Sequence, residues 1–156
     1  MTNCVKRITM HTKLRRILPV ADEIGFIMKT WGREERKNHS WRYPDRLFYP
    51  NFGKIMVEIA ARSDCIVACN PDDINQIQGF AIGKAMPEHS TMLAHFVYVR
   101  PEFRRLGLAK DMLAALGYDI SLHELVYTHD SKTMDKILIK DRAIVFNPHC
   151  VYGLIK

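Results

Sequence analysis

The chain has 156 residues, 47% of them hydrophobic and 26% charged, which suffices for one α/β domain that buries a core without disulfides or metals. No stretch approaches the roughly eighteen uninterrupted apolar residues of a membrane span. Asp22 and Glu23 interrupt the one run that would serve as a signal core, so neither anchor nor secretory signal is expected.

The net charge of +6 is concentrated at one end, where residues 1–16 hold Lys6, Arg7, Lys13, Arg15 and Arg16 and no acid. Such an arm attracts acidic partners at long range. It fits a charged edge strand and its turn better, since a nucleic-acid surface spreads basic and aromatic residues over one face. Cys4, Cys65, Cys69 and Cys150 lack metal-ligand spacing, and no metal site is expected. Cys65 and Cys69 stand four strand residues apart, about 13 Å, too far for a disulfide. Small buried thiols in the cytoplasm are the expectation.

In chain order, an edge strand is expected near 4–10, then a helix over 19–31 with Val20, Ile24, Ile27, Met28 and Trp31 at helical spacing. The polar, basic stretch 32–46 reads as a loop. A second helix is expected to open at Asn51 as N-cap and bury Phe52, Ile55, Met56 and Ile59. The period then shortens. Cys65–Cys69 reads as a strand, Asn70-Pro71-Asp72-Asp73 as a turn, and Ile77–Ala85 as a strand whose Gly79 and Gly83 mark a bulge or a close neighbour. Thr91–Val99 is the third strand of this run. A helix over 107–116 follows, with Gly117 at its C-cap, then a strand at 123–129. A short amphipathic segment near 132–138 and strands at Ala143–Phe146 and Cys150–Leu154 complete the chain. Residues 1–156 form a single expected domain. Three strands in a meander, followed by strand–helix–strand at 91–129, predict a mixed sheet with one parallel crossover.

Val97-Tyr98-Val99-Arg100-Pro101-Glu102-Phe103-Arg104-Arg105-Leu106-Gly107-Leu108-Ala109-Lys110 carries the chemistry. It is a strand end, a proline-marked turn and a helix start. The free N–H groups of a first helical turn converge, and the helix dipole favours an anion there. Gly107 lets the backbone come close, Ala109 keeps the start narrow, and Arg104, Arg105 and Lys110 add positive charge. A pyrophosphate would fit such a cradle, although many helix starts hold only solvent.

Arg104-x-x-Gly107-x-Ala109 resembles the [Arg/Gln]-x-x-Gly-x-[Gly/Ala] signature of the GNAT superfamily of acyl-CoA-dependent N-acetyltransferases. Val97-x-Val99-x-Pro101 before it and the meander upstream fit the same family. The resemblance implies the GNAT fold: a mixed, mostly antiparallel, twisted sheet of six to seven strands with about four helices. It further implies that amides of Arg105, Leu106, Gly107, Leu108, Ala109 and Lys110 hold the pyrophosphate of acetyl-CoA. Backbone near Val97 and Val99 would bind the pantetheine arm. The acetyl group would pass directly to a primary amine of a small molecule or protein, without a covalent enzyme intermediate.

Such a transfer needs an acceptor for the amine proton and a donor for the leaving thiolate. His95, two residues before Val97, is expected on the strand face that Val97 and Val99 share, where some family members place a working histidine. The family's Asn after the fifth strand and Tyr in the next short helix are missing. Tyr127 and His129, expected on one strand face, are the substitutes, with Ser131 a weaker one. Trp31, Trp41, Arg42 and Tyr43 would line the acceptor site. The basic surplus of loop 32–46 disfavours a polycationic acceptor. Two other readings stay open: an inactive GNAT-fold binding or regulatory protein, and a basic arm docking on nucleic acid. A homodimer through Val151–Ile155 is a further expectation.

Overall fold

The computed structural model describes residues 11–38, 44–129 and 144–150. Strand β1 (Lys13–Arg16) precedes helices α1 (Ala21–Asn38) and α2 (Asp45–Ala61). Strands β2 (Asp64–Asn70), β3 (Asp73–Met86) and β4 (Thr91–Val99) follow, then helix α3 (Leu108–Ala115), β5 (Glu124–Tyr127) and β6 (Ile144–Phe146). The strands lie in chain order in one six-stranded sheet, antiparallel from β1 to β4 and parallel from β4 to β6. This is the mixed sheet that the sequence predicts, with α3 as the parallel crossover.

Both long helices begin or end elsewhere than expected. Helix α1 continues to Asn38, so 32–38 is not loop. Its buried stripe runs Glu23, Ile27, Thr30, Trp31, Glu35. Polar members at both ends of that stripe hide the helical period from hydropathy. Helix α2 opens at Asp45 with Pro44 as N-cap, and Pro50 lies inside it. Asn51 is no cap; its side-chain amide donates to the Leu47 carbonyl at 2.6 Å. Phe48 and Phe52, one turn apart and stacked at 5.3 Å, are both buried, and their packing outweighs the proline's lost hydrogen bond.

The sheet carries two different cores. Under α3 lie small residues, Ala68, Ala81 and Ala94, which let Met112, Leu113 and Leu116 settle close to the strands. Against α1 and α2 the sheet presents Val67, Phe80, Ile82 and Phe96, which meet Ile27, Trp31, Phe52 and Ile59. Helix α3 ends at Ala115 with Leu116 as its C-cap, one residue before the Gly117 expected there; Gly117 N–H donates to Ala114 O and Tyr118 N–H to Leu113 O, both at 3.0 Å.

Part of the basic arm is committed to the fold. Arg15 grips Glu23 with two bonds of 2.7 and 2.8 Å, joining β1 to the start of α1, and Arg16 meets Asp64 at 3.3 Å. Burial works to raise the Glu23 carboxyl, but the bonds from Arg15 and the Leu18 N–H hold it below its ordinary range. The strand expected at 4–10 lies outside the described residues, as do the segment 132–138 and Val151–Ile155. Cys150 closes a single 3-10 turn, Pro148–Cys150, instead of opening a strand. The Asn147 carboxamide oxygen accepts the His149 N–H there at 3.0 Å, and Pro148 sets the turn.

Candidate active site

The loop into α3 is shaped for an anion by its backbone. Arg104 is extended, Arg105 is left-handed with φ 66°, and Gly107, the N-cap, has φ 79°. A left-handed arginine is uncommon and costs on the order of 1 kcal/mol, a strain typical of ligand clamps. Alternating hand turns successive N–H groups inward, and no side chain caps the helix start. A Cβ on Gly107 would meet nothing within 4 Å, so the space beside it is open. Leu108 anchors the turn in the core, while Arg104, Arg105 and Lys110 stay exposed. Arg104 Nε donates to the Val99 carbonyl at 2.8 Å and ties the loop to the strand end.

That strand end stands beside a fork. β5 pairs with β4 from Thr91 to Ala94, and one further bond, Thr128 N–H to Ala94 O at 3.1 Å, closes the ladder. Past it, among the described residues, β4 pairs with β3 alone. Arg100 N–H donates to Gln78 O across β3, so by alternation the main-chain groups of Tyr98 also address β3. Those of Val97 and Val99 therefore face the open side.

At the base of the fork β4 bulges. Ile82 stands opposite Phe96 and Gly83 opposite Ala94, which leaves His95 as the extra residue. A Cβ on Gly83 would lie 2.5 Å from the Leu93 carbonyl, so the close approach of the strands here requires glycine. The bulge corrects the expectation for His95. Met92, Ala94, Val97 and Val99 all face α3, whereas His95 does not share the face of Val97 and Val99. It turns with Phe96 to the other side, where its Nδ1 lies 2.9 Å from Thr128 Oγ1. His95 is 3% exposed, and burial, helped by His129, pushes its imidazole down to about 4.

His129 and Tyr127 are likewise parted. Tyr127 is buried in the cluster under α3, with its ring 5.1 Å from Phe146. His129 lies toward α1 and α2, 5.7 Å from Trp31 and 5.9 Å from Phe52, because the chain leaves the strand after Tyr127 and strict alternation lapses. Trp31 is fully buried and stacks on Phe96 at 5.6 Å, forming the wall behind His129. Ser131, Trp41, Arg42 and Tyr43 lie outside the described residues. Thr128, which sequence reasoning passed over, touches both histidines: its Oγ1 is also 2.9 Å from His129 Nδ1. Nothing in a threonine between two candidates marks it; only the strand register brings it to His95.

The sequence profile described as "Acetyltransferase (GNAT) family" matches residues 27–118, from α1 through the Gly107 loop and α3. The chain belongs to the GNAT family of acetyltransferases. A Pyrococcus furiosus protein described as an acetyltransferase has the same fold, with a TM-score of 0.54 at 12% identity over 84% of this chain and 93% of that one. A Staphylococcus aureus protein assigned to the GNAT family is 21% identical over 68% of this chain and 87% of its own, with a TM-score of 0.44. The diaminobutyrate acetyltransferase of Paenibacillus lautus, solved with L-2,4-diaminobutyric acid and coenzyme A, is 21% identical over 82% and 71% at a TM-score of 0.41. Among proteins of curated function none matches significantly. Acetyl-CoA is the cofactor that goes with the family, and the open, left-handed loop at Gly107 fits its pyrophosphate.

Proposed function

We propose that the protein is an N-acetyltransferase that moves the acetyl group of acetyl-CoA directly to a primary amine of a small molecule or protein. The observation that carries this reading is the fork. The Arg105–Lys110 loop follows a strand end where the Val97 main-chain groups and the Val99 N–H face the gap, the Val99 carbonyl being held by Arg104, and two histidines stand at the fork's base. Amides of the cradle hold the pyrophosphate, and Val97 and Val99 receive the pantetheine arm as a strand would receive a neighbour. When bound, acetyl-CoA supplies an acyl carbon activated by a sulfur leaving group. His95 and His129 handle the protons. Among the described residues no helix is long and apolar enough to cross a membrane. Free thiols at Cys65, Cys69 and Cys150 support a cytoplasmic setting.

Isothermal titration of acetyl-CoA into the wild type and Gly107→Glu tests the cradle. The wild type is expected to bind, and the variant to lose roughly 100-fold or more in affinity, about 3 kcal/mol. Equal binding by both would sink the placement of the cofactor. A mass-spectrometric screen of small amines and lysine peptides then tests transfer. One observation favours a second reading: at about 4 the His95 imidazole is a weak base. Binding without turnover of any amine would make this a regulatory or binding protein of the GNAT fold.

A further inference from the structure

His95, Thr128 and His129 form an unbroken chain at the base of the fork. His95 Nδ1 and His129 Nδ1 each lie 2.9 Å from the same atom, Thr128 Oγ1. A hydroxyl has one proton to donate and lone pairs to accept with. It donates to one Nδ1 and accepts from the other, so two neutral imidazoles joined by it hold opposite tautomers. One carries Nδ1–H and the other Nε2–H. When a proton arrives at the Nε2 of the Nδ1–H ring, shifting the two bridging protons one place along the chain leaves that ring neutral in its other tautomer, leaves the second ring cationic, and moves no heavy atom.

We propose that Thr128 couples His95 and His129 into a two-way proton relay, which takes up the acceptor amine's proton and returns it to the leaving sulfur. This deepens the N-acetyltransferase reading and rests on it. In the resting arrangement His95 carries Nδ1–H and offers the Nε2 lone pair. The amine N–H bond breaks as Nε2–H forms on His95. The His95 Nδ1 proton passes to Thr128 Oγ1, and the hydroxyl's own proton passes to His129 Nδ1. His95 is then neutral, and the positive charge rests on His129. In the return step His95 gives its Nε2 proton to the sulfur, Nδ1 takes the hydroxyl proton, and Thr128 takes the proton on His129 Nδ1. Both rings end as they began, and no proton is gained or lost.

The surroundings of the two rings favour this division. His95 is buried and unsuited to holding charge, whereas His129 is half-buried and nearer solvent. Among the described residues His129 is the one titratable group that acts on His95. Two of the three members are pinned by backbone, His95 by the β4 bulge and Thr128 by its N–H bond to Ala94 O. A relay that works in both directions also accounts for a sequence without the family's Tyr acid: one histidine face serves both half-reactions.

Nitrogen-15 NMR of histidine-labelled full-length protein reads the tautomers directly. Opposite tautomers at His95 and His129 are expected in the wild type and in Thr128→Ser, and loss of the correlation in Thr128→Ala. Matching tautomers in the wild type would overturn the relay whatever the variants do. In turnover, with an acceptor found by the amine screen, Thr128→Ala is expected to lose roughly 10-fold or more in kcat. KM for acetyl-CoA should hold, and Thr128→Ser should recover most of the rate. An unchanged kcat in Thr128→Ala, or a loss that Thr128→Ser does not recover, would also overturn it. Opposite tautomers in a wild type that binds no acetyl-CoA would sink the transferase reading instead; binding and turnover with matched tautomers would sink the relay alone.

Discussion

Thr91–Ala94, the first half of β4, pairs with β3 on one side and β5 on the other, whereas among the described residues Val97–Val99 pairs with β3 alone. Both halves are nearly continuous runs of buried apolar residues, and side-chain chemistry barely tells them apart. What differs is the backbone. In the first half the main chain has a strand on each side; in the second, the groups of Val97 and the Val99 N–H face the gap, and the Val99 carbonyl is taken by Arg104 Nε. Unspent backbone polarity is costly when buried, so a fork in a sheet is stable where something polar, water or a ligand, can enter it. The bulge at His95 separates the halves and turns the histidine to the face opposite Val97 and Val99, toward Thr128.

The comparison implies that the open half relies on the aromatic wall of α1 and α2, having lost β5 as a neighbour. Trp31→Ala is the severest way to break it. That substitution removes the partner of Phe96, Phe52 and His129 and should cost 3–5 kcal/mol by urea denaturation. A cost below about 1 kcal/mol would show that the open half stands without the wall.

Acid should act at the junction between the halves. The folded His95 imidazole sits near 4 against an ordinary 6.5, because burial disfavours its charged form. Between those values the unfolded chain binds more protons, so stability rises with pH there. The contribution is complete above about 6.5 and is lost as pH falls toward 4, on the order of 3 kcal/mol. Denaturation curves at pH 7 and 4.5 should show it in the wild type and not in His95→Gln. Equal pH slopes in the two would argue against a buried, neutral His95.

In the doubly paired half, Gly83→Val tests whether the bulge depends on close approach. Its Cβ would press on the Leu93 carbonyl, with a cost of about 2 kcal/mol and altered amide exchange around Ala94. A silent substitution would mean that the strands can part freely. The smallest effect belongs far from either half. Asp45→Asn breaks the 2.6 Å pair with Arg36, but Asp45 is 71% exposed and the loss should stay below about 1 kcal/mol. A thermal melt suffices to check it.

Much of this was legible because local rules sufficed. The turn at Asn70–Asp73, the strands on either side of it and the Gly107 loop all announce themselves through turn residues and hydrophobic period. The ends of α1 and α2 did not. Glu35 occupies a buried position with a polar side chain, and Pro50 sits where only the stacking of Phe48 on Phe52 makes a helix tolerable. Both are cases of packing overriding propensity.

By itself, the sequence determined the family and, from α1 to β5, the order of the elements, because a signature loop and a strand-to-helix turn are short-range features written in consecutive residues. Tertiary structure alone decided which way the site's side chains point. A single extra residue in β4 reverses the alternation that the sequence implies, and the register of β4 on β5 sets Thr128 against His95. Residues 33 positions apart in the chain meet only through strand pairing, and no local pattern encodes a pairing offset.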